Sequence, residues 1–349
     1  MKVALFPADQ TACGHYRMIW PATVAAASGE LEVEFGDRIP IRRTARSPSR
    51  VVDARVDADV VVLQRPLDTR VVEAIPHLQR HGSAVVVEVD DDFTRLHVKH
   101  PMFRGLHPQQ SHAVNWRHLL RACALADAVT VTTPALADRY AGGKGWVLPN
   151  LVPAQLLEVH AEGDGRTVGW GGFTATHVDD LTVTRGGVAR ALEETGARFA
   201  VVGSGDGVRA QLALSSDPAA TGPLPFAEYH QALAQIDVGI APLLDTKFNA
   251  AKSALKLLEY AALGIAAVAS PRADYLRLHN EGIGLLATDR ARDWRRQVRL
   301  LLTDHACRED TAARAKAIVA ERHTYERQAW RWAEAWQHAI DRRRSTRAA

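Results

Sequence analysis

The sequence predicts an α/β protein made of two doubly wound parallel halves, and three observations carry that prediction. Short runs dominated by apolar residues recur with helix-length segments between them, as in Asp59-Val-Val-Val-Leu-Gln64 and Ala84–Val89. Continuous apolar runs, rather than alternating ones, belong to strands buried on both faces, the situation of a parallel sheet covered by helices. A second alternating set begins at Thr167-Val-Gly-Trp-Gly-Gly, after a stretch from Pro149 to Gly165 rich in Pro, Asn, Gly and charge that reads as a linker. Finally, 349 residues are long for one core and comfortable for two.

In the first half, residues 2–6 read as a strand ending at Pro7, residues 15–28 as a helix and 31–35 as a short strand. Strands follow at 59–64, 84–89 and 128–132, with helices over 69–81 and 112–126 between them. Pro134 opens a short helix, and Trp146-Val-Leu begins the last strand of this half. In the second half, strands are expected at 167–172, 198–203, 237–241 and 266–269. Residues 307–340 read as a long helical region, broken near 322–324, that carries Trp330, Trp332 and Trp336. The predicted segments are 1–150, 151–320 and a terminal helix with a basic tail, 321–349.

Composition narrows the class without naming a partner. The chain is 47% apolar and 24% charged with a formal net charge of +3, a mild bias that does not point to a polyanion. Arginines nevertheless crowd a loop-like stretch (Arg38, Arg42, Arg43, Arg46, Arg50) and the tail (Arg342, Arg343, Arg344, Arg347), the tail reading as a solvated, disordered end. Three scattered cysteines without metal or disulfide spacing suit a reducing compartment. With no signal-like apolar start and no apolar run near the roughly 20 residues of a membrane span, a cytoplasmic protein is expected.

The most informative stretch is 247–270. A polar, cationic turn with Asn249, Lys252 and Ser253 opens a helix that carries Glu259 among apolar neighbours; Gly264 stops it and a strand follows. A helix N-terminus beside Lys and Ser is an anion site, because free backbone N–H groups and the helix dipole both favour a phosphate there. A carboxylate about two turns further in can accept hydrogen bonds from a sugar's hydroxyls. Diphosphate at the tip and a diol below describe a nucleotide-sugar.

Other strand ends carry polar residues where doubly wound sheets place their sites. Gly14, His15, Tyr16 and Arg17 follow the first strand. Glu88, Asp90, Asp91 and Asp92 end the fourth, and this many acids so close together call for water, cations or substrate. Asp90 and Asp91 could position an acceptor hydroxyl or take its proton, while Asp91 or Asp92 could instead cap the next segment. Gly171 and Gly172, followed by Thr174, Thr176 and His177, form a glycine-rich strand-to-helix loop suited to a phosphate or sugar. Asp179 and Asp180 read as first-turn partners of the following helix dipole.

The 247–270 segment resembles the donor-site helix of the retaining glycosyltransferases of family 4, whose pattern is Glu, seven residues, Glu, then Ala and Gly before a strand. The resemblance implies the GT-B fold: two Rossmann-like domains facing a cleft, an acceptor-side domain at 1–150, a donor domain at 151–320 and a last helix crossing back to the first domain. It implies that Glu259 binds a ribose diol and that Lys252, Ser253, Ala254 and Leu255 face diphosphate and sugar. The family's first Glu falls on Ala251, so Asn249, Lys252 or Ser253 would take over its sugar contact. The family's phosphate-binding Arg and Lys have no clear counterpart, which leaves Lys252 and Arg17 to supply charge. The expected activity is transfer of a sugar from a nucleotide-sugar with retention, without a cofactor or metal. The donor residues are Gly14, Gly171, Gly172, His177, Asn249, Lys252, Ser253, Ala254, Leu255 and Glu259, and the catalytic ones His15, Arg17, Asp90 and Asp91. A non-catalytic nucleotide-sugar or glycan binder and a nucleotide-sugar epimerase are the rivals. The acceptor stays open among glycan, lipid, protein and modified DNA, as do the sugar, the nucleotide and the oligomeric state.

Overall fold

A computed structural model describes residues 1–44, 47–103 and 115–348, with the side chains of 47–49 and 348 outside that description. Arg46 and the first residues of the helix expected at 112–126 therefore lie outside the described residues. The chain divides into two units, one of Met1–Val98, Met102–Asn150 and Tyr325–Ala349, the other of Lys99–Pro101 and Leu151–Thr324.

In the first unit, β1 (Lys2–Phe6), β2 (Glu32–Phe35), β5 (Val60–Gln64), β6 (Ala84–Val89), β7 (Ala128–Val131) and β8 (Gly145–Val147) form one sheet in the order β2-β1-β5-β6-β7-β8. All its pairings are parallel. Every residue of β5 and β6 is buried, as their Val-rich runs require, Gln64 and Glu88 included, whereas edge strand β2 is mostly exposed. Helices α1 (Trp20–Ala26), α2 (Thr69–Arg80) and α3 (Asn115–Leu125) cross between strands. Asp68 starts α2 by accepting a hydrogen bond from Arg70 N at 2.8 Å.

Among the described residues, much of the arginine-rich stretch is strand rather than loop. β3 (Ile41–Thr44) and β4 (Ser47–Ala54) pair as an antiparallel hairpin that leans on α2 and its C-terminal cap: Val51 N donates to Glu73, and Asp53 takes a hydrogen bond from the His81 ring at 2.8 Å.

The second unit repeats the plan with β9 (Thr167–Gly172), β10 (Arg198–Gly203), β11 (Ala219–Ala220), β12 (Val238–Ala241), β13 (Ala266–Ala269) and β14 (Leu285–Leu286), ordered β11-β10-β9-β12-β13-β14 and again parallel. Helices α4 (Gly187–Thr195), α5 (Phe226–Leu233), α6 (Leu255–Ala262), α7 (Ala273–Asn280), α8 (Ala291–Thr303) and α9 (His305–Arg322) flank it. Its core gathers Val168, Trp170, Val201, Ile240, Val268 and Trp294. Asp304 caps α9 through Cys307 N.

The last helix, α10 (Trp330–Ala348), belongs to the first unit and buries Trp332 and Trp336 there. The tail arginines are part of this helix, contrary to the disordered end expected from charge alone. Arg343 and Arg347 donate to the carbonyls of Gln79 and Arg80 at 3.0 and 2.7 Å, at the C-terminal end of α2, where free carbonyls and the dipole favour cations.

Candidate active site

In a doubly wound sheet, ligands bind beyond the carboxyl ends of the strands where successive connections leave in opposite directions. In the second unit that point lies between β9 and β12, because the chain runs from β9 outward to β11 and then returns to β12 on the other side. The residues converging there come from β9, the loop after it, and α6.

Gly171, one residue before the end of β9, packs against the side chains of its neighbours. A Cβ on it would sit 2.4 Å from the Tyr229 hydroxyl and 3.0 Å from Leu233, so no larger residue fits without displacement. Gly171 N donates to the Tyr260 hydroxyl at 3.2 Å, which ties the strand end to α6.

Beyond it, His177 stands between two charges. Its Nδ1 is 3.0 Å from Asp180 Oδ2 and its Nε2 is 3.2 Å from Lys256 Nζ. Burial, and then the neighbouring Lys256 ammonium, pull the His177 pKa down to about 3. The ring is therefore neutral at physiological pH, donating from Nδ1 to the carboxylate and accepting from the ammonium at Nε2. Asp180 does stand in the first turn of a short 3-10 helix, Asp180–Thr184, but its side chain is committed to other partners. It is buried, and its other oxygen accepts from Leu244 N at 3.0 Å and Asn249 Nδ2 at 2.6 Å. Burial works to raise its pKa, but the His177 hydrogen bond and the rest of this set hold it below the ordinary value. Asn249 also donates to the Leu244 carbonyl and is itself buried, so its amide nitrogen is committed to bracing the loop rather than presented to a sugar.

The result is a chain, Asn249–Asp180–His177–Lys256, that delivers a fixed ammonium to the first turn of α6. Ala254, the N-cap, provides no side-chain cap. Lys252 lies beside the same turn with its ammonium 4.5 Å from the centre of the Phe248 ring. Ala251 is buried in the preceding turn. Glu259 is buried one turn beyond Leu255, its Oε1 3.5 Å from His230 Nε2 on α5. Lys256 and His230 escaped the sequence reading. The signal available for Lys256 was its place in the first turn of the helix; for His230, 29 residues before Glu259, local sequence offers none.

In the first unit the expected residues separate into structural and accessible groups. Arg17 is not available for phosphate. It is buried, its Nε donates to Glu88 at 2.7 Å, and its Nη1 donates to the Leu148 carbonyl and Asn150 Oδ1 at 2.8 and 2.9 Å. Glu88 thus needs no water or substrate, being held by Arg17 and the Thr130 hydroxyl. Asp92 caps the turn Phe93–Arg95 through Thr94 N and also accepts from the Tyr140 hydroxyl. Gly14 has an ordinary helical φ and is small because a Cβ would fall 1.9 Å from the Asp9 carbonyl oxygen. Its close approach is to Asp9, not to a ligand. His15 is half-buried, with its ring 5.6 Å from that of Trp20 and its pKa lowered by burial. Asp90 and Asp91 keep partial exposure. Asp90 Oδ1 lies 3.7 Å from Arg65 Nε, and Arg65 is also paired with Asp9. Among the described residues no three His, Cys, Asp or Glu side chains gather as a metal site, and no helix is long and apolar enough to cross a membrane.

Residues 185–334 match the model of a family described as glycosyl transferase-like. The chain has the GT-B fold, and its matched segment is similar to glycosyl transferases. Solved structures of this glycosyltransferase fold extend the likeness to nearly the whole chain. Anabaena HepE in complex with UDP and glucose is 14% identical with a TM-score of 0.62, over 97% of this chain and 99% of HepE. An α-glucosyltransferase in complex with UDP and a 13-mer DNA containing an HMU base is 12% identical with a TM-score of 0.64, over 97% and 99%. Staphylococcus aureus TarM, solved with fondaparinux, alpha-GlcNAc-glycerol and UDP, is 10% identical with a TM-score of 0.56; the match covers 79% of this chain but only 55% of TarM. A comparison with curated protein sequences finds no match.

Proposed function

We propose that this protein is a glycosyltransferase that transfers a hexose from a UDP-hexose to an acceptor hydroxyl with retention of the anomeric configuration. The observation that carries the reading is the convergence of Lys256, Lys252, the α6 N-terminus and Glu259 at the β9–β12 switch point. Likeness to proteins solved with UDP supports the nucleotide, and resemblance to the retaining family supports the stereochemistry.

In this reading the diphosphate sits at the start of α6. As the bond from sugar to diphosphate breaks, negative charge grows on the leaving oxygen. Lys256, Lys252 and the backbone amides of Ser253 and Leu255 oppose it, whereas the Ala254 amide is already given to Asp274 Oδ2 at 3.3 Å. His177 holds the Lys256 ammonium in place through its neutral ring. Glu259 accepts from the ribose diol. Gly171 and Gly172 close the strand end tightly on Tyr229, Leu233 and the Trp170 ring and so fix the floor of the site. With Ala251 in place of the family's first carboxylate, Lys252 and Ser253 take the sugar contact. Asp90, Asp91 and His15 serve the acceptor side, orienting its hydroxyl.

The test is incubation with UDP-α-glucose and proton NMR of the released or transferred sugar, with Glu259→Ala as the control variant. The reading predicts an α-configured initial product. It also predicts that the variant binds UDP about ten- to a hundredfold more weakly, the usual effect of losing a hydrogen bond to a buried charged group. A β-configured initial product contradicts retention, and wild-type UDP affinity in the variant contradicts the role of Glu259.

A further inference from the structure

The first turn of α6 is braced from the side by the next helix. Its N-cap, Ala254, has no side chain that could satisfy the turn, and the Ala254 backbone N–H donates to Asp274 Oδ2 at 3.3 Å. Asp274 stands in the first turn of α7, where the helix dipole favours a carboxylate. Strain marks the entry to that turn. Ala273 has a left-handed backbone, φ 47°, which an alanine adopts only under constraint. The residue before it, Arg272, is fixed by two hydrogen bonds to the Asp289 carboxylate.

Such a brace raises an electrostatic problem. The same turn is proposed to meet a diphosphate, and an uncompensated carboxylate in contact with Ala254 would repel it. Arg277 supplies the compensation. One turn further along α7, its Nε donates to Asp274 Oδ1 and its Nη2 to Oδ2 at 3.0 Å, the forked arrangement that fixes both partners. Its other terminal nitrogen, Nη1, donates to Glu281 Oε1 at 2.6 Å.

Glu281 is the C-cap of α7, where the dipole disfavours a carboxylate. Its partners account for it there. Besides Arg277, it accepts from the ring of His323, whose Nε2 is 2.7 Å from Oε2 and whose side chain is 7% exposed. The His323 carbonyl in turn accepts from Val152 N at 3.0 Å. A line of hydrogen bonds therefore runs from Val152 through His323, Glu281, Arg277 and Asp274 to Ala254, with every member in the second unit.

We infer that Arg277 is a positioning residue for the diphosphate: by neutralising Asp274, it lets a carboxylate brace the α6 turn without repelling the ligand held there. Arg277 acts through Asp274, and Glu281 with His323 keeps its fork in place. The inference rests on the glycosyltransferase reading and deepens it, because it identifies what holds the phosphate turn in shape and keeps its field positive.

The experiment is calorimetric titration of UDP and of uridine into the full chain, as wild type, Arg277→Gln, Asp274→Asn and the double variant carrying both. Arg277→Gln strands the Asp274 charge, so UDP affinity should fall about fivefold or more, while uridine, which carries no phosphate, should change by less than about twofold. The loss for UDP should shrink as salt rises. Asp274→Asn keeps an oxygen that can accept from Ala254 N but carries no charge, so it should bind UDP at least as tightly as the wild type. For the same reason the double variant should recover the affinity that Arg277→Gln loses. The Arg277 side chain is 42% exposed, so its replacement leaves the core in place. Indifference of UDP binding to Arg277→Gln overturns the inference. Equal losses for UDP and uridine overturn it too, as does a double variant that binds no better than Arg277→Gln, since either result makes Arg277 a support of the fold and not of the phosphate field. In those cases the wild type still binds UDP and the glycosyltransferase reading stands. Failure of the wild type to bind UDP removes that reading, and this inference with it.

Discussion

Replacing Arg17 with Met will destabilise the first unit by about 3–5 kcal/mol, the typical effect of removing one partner from a buried ion pair. The guanidinium and the Glu88 carboxylate are each 1% exposed at their side chains, and their shared hydrogen bond is 2.7 Å long. Met is close in shape to the aliphatic part of Arg, so most of the loss comes from Glu88, left charged or forced to take up a proton in the interior. Adding Glu88→Met removes that stranded group and should recover most of the loss, because a buried pair replaced on both sides by apolar residues is often nearly neutral. Urea unfolding of the two single variants and the double variant measures this as a thermodynamic cycle. A loss below about 1 kcal/mol for Arg17→Met would mean the pair is not closed in solution. The double variant should bind UDP as the wild type does, since Arg17 holds the first unit together and takes no part in the phosphate site.

The second large effect belongs to Lys256. Lys256→Met should lower kcat/KM for the nucleotide-sugar by about 10²–10³, in line with removing one preorganised donor of transition-state stabilisation. UDP affinity should fall by less, because the charge that Lys256 meets is greatest after the sugar has begun to leave. His177→Asn should cost less than Lys256→Met, since the ammonium remains but loses the neutral ring that holds it 3.2 Å away. Release of UDP from the donor, followed in a coupled assay, reads all three proteins. If Lys256→Met stays within threefold of wild type while Lys252→Met carries the loss, the two lysines exchange roles and the His177 relay has no catalytic purpose.

What the sequence disclosed, and what it withheld, follows from the range of the interactions. Buried parallel strands are legible because burial on both faces leaves a local trace: Ala84–Val89 reads as a strand and is one, to the residue. The donor helix is also legible, since Gly264 and the turn around Asn249 punctuate it locally. By contrast, His177 and Lys256 are 79 residues apart, and only the folding of β9 and α6 to one strand end lets them meet. Arg17 and Glu88 show the same limit from the other side. Each looks like a site residue by type and position, yet they are 71 residues apart and neutralise each other in the core. Asp180 and Asn249 likewise spend on bracing the polar capacity that the sequence suggested for helix dipole and ligand. The Arg38–Arg50 stretch misled by composition. Its charge suggested a solvated loop, whereas β-branched and apolar residues such as Ile41, Val51 and Val52 carry the hairpin.

Hydrogen–deuterium exchange with and without UDP tests the central claim most directly. If the donor site is the β9–β12 switch point, UDP should slow exchange in the loop after Gly171 and in the segment from Lys252 through Glu259, with lesser change around Asp180. Slowing confined to the first unit, or none in these two segments while UDP is demonstrably bound, would contradict the assignment.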